Sequence, residues 1–464
     1  MGLLVLAYFL YFASDGLRAH WAPDDMMNMA GYWERGTWWA IGSQVMLASN
    51  AYRPMGALFY LPLYSVFGLD PLPFRIVIFL ILAANVWLSY RFARLLGSTE
   101  MVAGLTALMV SYHAAMGELF YRTSTVYDIL CFLFYVGAMV YYLSIRARAG
   151  TPDRWQAAVW VALFVCALNS KEMAVTLPLL LLAYEWLYHP PVTRREWRTW
   201  IWKQNRLALI GIALNVIYLY GRKYGADPLM QMDAYRPVFT LRRAIEFHRA
   251  AIAELFYLPD PLSGTGLIVV ALIVTYVAWR CRRGDLRFFW FWIVLTPLPI
   301  EFLQNRTHFC LYLPLLGWAM LSATVAMGIV AAASEWLSRE RLLARLRQPL
   351  LQAVLSAAVV VSLAAETAYR KEALVAQAQA AHGSGTWSVI QQLGSIGLRP
   401  RPSDRLIFLN DPYEGWDMLF IAELTFHQRG LRIWLQNKTP LPAAEVDAMD
   451  HVFRFDGWRM TQVK

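Results

Sequence analysis

The sequence predicts a polytopic α-helical membrane protein with about eleven apolar spans and a small extracytoplasmic α/β domain at its C-terminus. Of its 464 residues, 58% are hydrophobic and 16% are charged, whereas soluble domains have about 45–50% and about 25%. The apolar residues form blocks of roughly 17–25, the length that crosses a bilayer as a helix. After residue 366 these blocks stop, which separates a membrane domain, 1–366, from a tail, 367–464.

Each apolar block should be a helix, because backbone polar groups in lipid must be satisfied within their own segment. We predict spans at 1–17, 74–92, 98–115, 124–145, 157–170, 174–188, 207–221, 264–280, 288–303, 309–333 and 350–366. The stretch 51–68 is also apolar, but Pro54 and Pro62 interrupt it. We expect it to form one or two interfacial helices inside a long first outer loop, 18–73. If this stretch were a span instead, every later loop would lie on the opposite side of the membrane and the basic loops would be outside.

The loops between the spans alternate in character, and this alternation predicts the topology. One set is short and basic: 91–94, 146–154, 194–206, 280–287 and 339–347. The positive-inside rule makes these loops cytoplasmic, which places the N-terminus inside and the C-terminus outside. The net charge of +10 lies largely in these loops, so we expect no nucleic-acid partner but contact with membrane lipids.

The tail has the pattern of a small α/β domain. Residues 405–410, 431–436 and 451–455 combine β-branched and aromatic residues as strands do, and 416–428 is amphipathic as a helix. The cysteines, Cys131, Cys166, Cys281 and Cys310, show no spacing typical of a metal site or a disulfide framework.

Ionisable residues at the outer ends of spans are functional candidates. Asp24 and Asp25 follow the first span and could supply a general base; the pair is compatible with a divalent cation but does not require one. The alternative is a solvated turn. Tyr52 and Arg53 end the apolar stretch of the same loop, where Arg53 could hold a phosphate or extend to lipid headgroups.

Three further clusters lie in short outer loops. Lys171 and Glu172 could line a site or pair with each other in a tight turn. Arg306 and His308 could face an anionic ligand or pair with Glu301. We expect the third cluster, which contains His113 and Glu118, to be structural.

The predicted topology brings these scattered residues to one face of the membrane, which favours a shared site. The sequence contains neither a Walker-type phosphate loop nor a glycine-rich dinucleotide motif. A donor without a nucleotide, such as a lipid-linked phosphate, is therefore favoured. Two alternatives stay open: a transporter or flippase for lipid-linked glycans, and a membrane scaffold or binding protein.

Several ordered motifs resemble the GT-C superfamily of glycosyltransferases, in particular its protein O-mannosyltransferase-like and TMTC-type branch. The resemblance covers about 1–335 and is carried by these pieces: Asp24-Asp25; Tyr52-Arg-Pro-Met55 leading to Tyr64-Ser-Val-Phe-Gly-Leu69; His113 to Glu118; Ser170-Lys-Glu172 leading to Thr176-Leu-Pro178 and Tyr184-Glu185; and Arg306 leading to Leu311-Tyr-Leu-Pro314 and Gly317. The chain departs from the TMTC-type proteins in its tail, which has no tetratricopeptide repeats, and in Asn305, where an acidic residue is common.

The resemblance implies an enzyme that moves a sugar from a polyprenyl-phosphate donor to a protein or glycan acceptor outside the membrane. Asp24 would be the general base, with Asp25 beside it. The donor phosphate would be bound by Arg53 and Arg306, assisted by His308 and Lys171, and the site would be lined by Glu172, Tyr52, His113 and Glu118. We expect the enzyme to lie in a bacterial inner membrane.

Overall fold

The computed structural model describes residues 1–47, 53–148, 150–224, 235–304, 306–339 and 348–464. Its helices are α1 (Gly2–Ala13), α2 (Pro23–Gly42), α3 (Pro54–Phe67), α4 (Pro71–Leu95), α5 (Glu100–Ser111), α6 (Glu118–Tyr121), α7 (Val126–Arg146), α8 (Arg154–Ser170), α9 (Leu177–Tyr188), α10 (Arg194–Thr199), α11 (Arg206–Tyr224), α12 (Leu241–Leu255), α13 (Gly264–Arg280), α14 (Gly284–Leu295), α15 (Leu298–Glu301), α16 (Tyr312–Arg339), α17 (Gln348–Ile396), α18 (Asp417–Phe426) and α19 (Ala443–Asp447). Its strands are β1 (Arg405–Leu409), β2 (Arg432–Leu435), β3 (His451–Asp456) and β4 (Arg459–Gln462).

The predicted number of eleven spans is wrong for the described residues. Four helical segments are long and apolar enough to cross a membrane: Pro71–Leu95, Thr123–Arg146, His308–Ser338 and Gln348–Ala373. The bent pair of α1 and α2 makes a fifth if it is one span. Some of the other apolar blocks form a single helix that does not meet this test, such as α13 with 17 residues, and the block 288–303 is divided between α14 and α15. Helix α5 has 12 residues, or about 18 Å, against a hydrocarbon core of about 30 Å.

The core of the membrane domain is built around α7. This helix packs against α4, α8 and α16, and α16 packs in turn against α5, α14 and α17. Aromatic side chains fill the centre, where Phe132 of α7 stacks on Tyr312 of α16 with ring centroids 4.4 Å apart.

The first loop turns the chain sharply, because α1 and α2 are bent by 73° at the break between them. Pro23 begins α2, and the indole of Trp21 donates a hydrogen bond of 2.7 Å to the carbonyl of Leu69. The stretch predicted to be interfacial forms one helix, α3, with Pro62 inside it. Its 14 residues span about 21 Å, less than the hydrocarbon core of about 30 Å.

The C-terminal sheet is confirmed. Its strand order is β2-β1-β3-β4, with β1 parallel to both β2 and β3 and with β3 antiparallel to β4. Strand β4 was not predicted. Helix α17 continues without a break from the last span to Ile396, so residue 366 lies inside a helix.

Helix α18 holds the C-terminal domain against the first loop by packing on α2. The hydroxyl of Tyr64 on α3 donates a 2.7 Å hydrogen bond to the carbonyl of Leu424 and lies 2.9 Å from Nδ1 of His427. The guanidinium of Arg429 donates to the carbonyl of Trp33, 2.5 Å away. These contacts fix the domain beside α2, and Asp417 of α18 is close enough to Asp24 for the two carboxyl groups to interact electrostatically.

Candidate active site

The two neighbouring aspartates at the start of α2 have different environments. Asp25 is fully buried: its Oδ2 accepts the amide of Ala22 at 2.9 Å and its Oδ1 accepts the amide of Ser124 at 2.5 Å. The guanidinium of the buried Arg75 lies 3.9 Å from Asp25. Asp24, one residue earlier, is exposed. Asp24 is therefore available to a ligand, whereas Asp25 anchors the helix.

The environment of Asp25 does not suit a cation shared by the two aspartates. Both oxygens of Asp25 accept backbone amides and its carboxylate faces Arg75. Within the described ranges, no group of three or more His, Cys, Asp and Glu side chains is arranged to hold a metal ion.

Arg53 is buried at the start of α3 and is held by Glu172. Its Nη2 lies 3.3 and 3.4 Å from the two carboxylate oxygens of Glu172. Burial would raise the pKa of Glu172, but the positive charges of Arg53 and Lys171 outweigh burial and lower that pKa to about 2. Glu172 is thus a carboxylate at any physiological pH and keeps the guanidinium of Arg53 in place.

Arg53 and Arg306 both contact the ring of Tyr235. The guanidinium carbon of Arg306 lies 4.6 Å from the centre of that ring and that of Arg53 lies 5.9 Å from it. Both distances are within the range of cation–π attraction, about 6 Å. The structure therefore brings together two arginines that are far apart in sequence.

A third arginine, Arg222, joins this group from the last turn of α11. It is buried, its guanidinium lies over the ring of Tyr218 at 4.8 Å, and it is close enough to Glu172 to contribute to the low pKa of that carboxylate. Arg222 was not among the site residues predicted from the sequence. Its position just after an apolar block was the one available signal.

Beside these arginines lies a cavity of about 150 Å³. Glu172, Arg222 and Tyr235 line its polar part. Most of the remaining wall is apolar and includes Val175, Leu219, Phe239, Leu298, Phe302 and Leu303. Of the charged residues that line it, Arg222 is a cation and Glu172 is an anion, and Arg53 and Arg306 adjoin the cavity through Tyr235. The cavity thus combines charged side chains with an apolar wall, a combination that suits an amphiphilic ligand.

Lys171 takes part in a different cluster. Its buried ammonium lies 2.5 Å from Oδ1 of Asp128 and 3.3 Å from Sγ of Cys310. Burial would lower the pKa of Lys171, but the charge of Asp128 outweighs burial and raises that pKa. Lys171 is not among the described residues that line the cavity.

The segment that carries Arg306 is clamped by helix α12. Nε2 of His248 lies 3.0 Å from Glu301, and Nδ1 of His308 lies 3.3 Å from Glu254. The backbone amide of His308 also donates to Glu254 at 2.7 Å. His308 is therefore occupied by α12 rather than joined to the arginine group.

The other predicted site residues lie elsewhere or outside the described ranges. His113 stacks on Tyr257 at 4.6 Å, and its Nε2 lies 3.1 Å from the carbonyl of Leu255. Glu118 pairs with Arg122 at 3.2 Å. Tyr52 lies outside the described residues.

Comparisons with known proteins find a likeness of fold but none of sequence family. No family model matches the sequence, and no curated protein matches it. The structure of ArnT from Cupriavidus metallidurans in the apo state matches with a TM-score of 0.52 and 13% identity, covering 97% of this chain and 92% of that chain.

An Archaeoglobus fulgidus oligosaccharyltransferase, tethered to an acceptor peptide containing the NVT sequon, matches with a TM-score of 0.45 and 13% identity. That match covers 81% of this chain and 55% of the archaeal chain, so the sequence spans about half of the archaeal protein. The likeness to ArnT shows the fold alone: a mostly helical chain with apolar helices and a small C-terminal sheet.

Proposed function

We propose that this chain is an inverting glycosyltransferase that moves a sugar from a polyprenyl-phosphate donor to an acceptor hydroxyl on the outer side of the membrane. The observation that carries the proposal is the group of Arg53, Arg222 and Arg306 beside an apolar cavity. Arginine presents a planar fork of donors that matches phosphate oxygens. The apolar wall suits the isoprenoid carbons that adjoin a lipid phosphate.

Asp24 is the proposed general base because it is the exposed member of the aspartate pair. The acceptor oxygen would attack the anomeric carbon while its proton passes to the Asp24 carboxylate. The bond between the anomeric carbon and the phosphate oxygen would break, and the lipid phosphate would leave with the electron pair. The arginines would stabilise the negative charge that grows on the leaving oxygen.

Helix α2 gives the two parts of this site a fixed spacing. Asp24 lies in its first turn, and Tyr32, about two turns or ~12 Å further on, donates a hydrogen bond to the carbonyl of Arg53. The helix thus links the proposed base to the residue that contacts Arg53. The likeness in fold to ArnT supports the proposal by analogy.

We propose a protein or glycan as the acceptor, and the inner membrane of a bacterium, with the site outside, as the location. The finer assignment to the O-mannosyltransferase-like branch belongs to the same proposal. Lipid-linked sugars and glycoconjugates should be compared by mass spectrometry in cells with and without the gene. A sugar that disappears from an acceptor while its lipid-linked form accumulates would identify both substrates.

The decisive test is turnover of that lipid-linked sugar by purified protein in which Arg53, Arg222 or Arg306 is replaced by alanine. Each change should lower turnover. Arg94→Ala is the matched control, because Arg94 is an exposed arginine that bonds only the nearby carbonyl of Ser98, at 2.7 Å, among the contacts described. Normal turnover in all three variants would exclude the phosphate site. Movement of the lipid without sugar transfer would establish a flippase instead.

A further inference from the structure

Arg53 has a backbone conformation that residues other than glycine seldom adopt. Its φ of 42° and ψ of 67° lie in the left-handed region, directly before Pro54. A side chain with a β-carbon is strained there, so surrounding contacts must hold it in place. Such strain persists only where neighbouring groups stabilise the strained backbone.

Two groups hold this backbone at the carbonyl oxygen of Arg53: the amide of Gly56, which donates a 2.9 Å hydrogen bond within the first turn of α3, and the hydroxyl of Tyr32, which reaches it from α2. The hydroxyl of Tyr32 donates a 2.9 Å hydrogen bond to the carbonyl oxygen of Arg53 and lies 3.0 Å from the hydroxyl of Tyr127. The guanidinium of Arg53 in turn lies over the ring of Tyr127 at 5.0 Å. Tyr32 and Tyr127 are both buried, so these polar contacts form where water cannot replace them.

Gly56 leaves the space that this arrangement needs. A β-carbon at position 56 would lie 2.6 Å from the hydroxyl of Tyr32 and would also collide with the ring of Tyr127. Helix α3 can therefore approach the two tyrosines only because its first turn carries a glycine.

Helix α2 connects this contact to Asp24. Asp25 fixes the start of the helix through the amides of Ala22 and Ser124. The helix departs from helical geometry at Gly36, beyond Tyr32. The turns from Asp24 to Tyr32 are thus an unbroken helix, with the candidate base at one end and the contact to Arg53 at the other.

We infer that Tyr32 is a positioning residue, which sets the place of Arg53 relative to Asp24; this inference rests on the proposed function. Tyr32 does not touch the substrate itself. It acts through Arg53, and it makes α2 the element that fixes the distance between the base and the phosphate-binding group.

The test uses farnesyl phosphate, a short isoprenoid phosphate without a sugar, as the probe of the phosphate site. Its dissociation constant should rise about three- to tenfold in Tyr32→Phe, since a buried hydrogen bond is lost. Because Tyr32 acts through Arg53, Tyr32→Phe should add nothing when Arg53→Ala is already present. Tyr64→Phe, which also removes a buried hydroxyl that bonds a backbone carbonyl, is the matched control and should leave binding unchanged.

A second variant, Gly56→Ala, should also weaken binding of farnesyl phosphate. The inference can therefore still be tested if Tyr32→Phe does not fold. Unchanged binding in both Tyr32→Phe and Gly56→Ala, or additive effects of Tyr32→Phe and Arg53→Ala, would overturn the inference and leave the proposed function intact. Unchanged binding in Arg53→Ala itself would instead count against the proposed phosphate site.

Discussion

The ammonium of Lys171 and the carboxylate of Asp128 form a buried ion pair with 2.5 Å between Nζ and Oδ1. The next residue, Glu172, binds Arg53 instead. The Lys171–Glu172 turn therefore connects two clusters: one buried beside α7, and one that reaches the cavity. Lys171 and Glu172 therefore have separate roles, which can be tested separately.

Replacing Lys171 by methionine should destabilise the protein by about 3–5 kcal/mol, because it leaves the buried carboxylate of Asp128 without its partner. Thermal unfolding in detergent measures the loss. The double variant Lys171→Met with Asp128→Leu should recover much of the stability, since neither charge remains. A Lys171→Met protein with normal stability but weak binding of farnesyl phosphate would show that Lys171 contacts the phosphate.

The two aspartates of α2 should respond differently to replacement by asparagine. Asp24→Asn keeps the size of an exposed side chain and removes its basicity, so turnover should fall by about 10²–10⁴-fold with normal thermal stability. Asp25→Asn leaves the buried guanidinium of Arg75 without its counter-charge, so the unfolding temperature should fall. Near-normal turnover in Asp24→Asn would remove it from the mechanism.

The role of Arg222 in phosphate binding, which was not predicted from the sequence, can be tested by substitution. Arg222→Ala should weaken binding of farnesyl phosphate, and Arg222→Lys should restore only part of it, because an ammonium lacks the guanidinium fork. Arg242, which is 89% exposed on α12 and pairs with Glu246, provides a control that should bind normally when changed to alanine. Full recovery in Arg222→Lys would mean that charge alone is needed there.

The contact between the C-terminal domain and α2 should weaken as pH rises. Burial, together with a hydrogen bond and the nearby charge of Glu34, raises the pKa of Glu423 from 4.5 to about 7. Because the pKa of this carboxyl is raised on folding, its contribution to stability is fully present below the ordinary pKa of 4.5 and is lost as pH rises through about 7.

The unfolding temperature should therefore fall between pH 5 and pH 8, and Glu423→Gln should flatten this dependence because a glutamine cannot ionise. The comparison needs only thermal unfolding of the two purified proteins across this range. An unchanged pH dependence in the variant would show that Glu423 is not the group responsible.

The predicted topology can be tested with reporter fusions. The positive-inside rule predicts that fusions after Arg148, Arg198 and Arg283 report the cytoplasm. For Arg148 this requires the short segment of α5 to complete a crossing between α4 and α7, and an outer signal after Arg148 would mean that it does not. A fusion at Lys464 should report the outer side, with the C-terminal sheet. A cytoplasmic signal at Lys464 would place Asp24, which lies beside the same domain, on the wrong side for an extracytoplasmic acceptor.

Three of the four C-terminal strands were predicted, because short apolar stretches with β-branched and aromatic residues, such as Arg405–Leu409, define strands locally. The number of spans was not predicted correctly, because an apolar stretch of sequence does not reveal where its helix stops. Helix α9 is preceded by a short 3-10 turn, Glu172–Thr176, and so starts later than the predicted span at 174.

The partners of the site residues could not be predicted, because they depend on contacts between distant segments. Nothing in the sequence near Lys171 indicates Asp128, which lies in the first turn of another helix. Likewise, the ring that Arg53 and Arg306 share belongs to Tyr235, which has no distinctive sequence context. Asp24 and Asp25 look equivalent in sequence, and only packing against Ser124 and Arg75 separates them.

The continuous helix α17 has a practical consequence for shortened versions of the protein. It has 49 residues, or roughly 74 Å. Thr367 contacts Tyr8 of α1 at 2.7 Å, and Lys371 contacts Asp15, in the turn that follows α1, at 2.9 Å. A chain cut at 366 would lose both contacts and would leave Tyr64 without its C-terminal partners. The small domain is thus packed into the rest of the protein, and deleting it cannot serve as a neutral control.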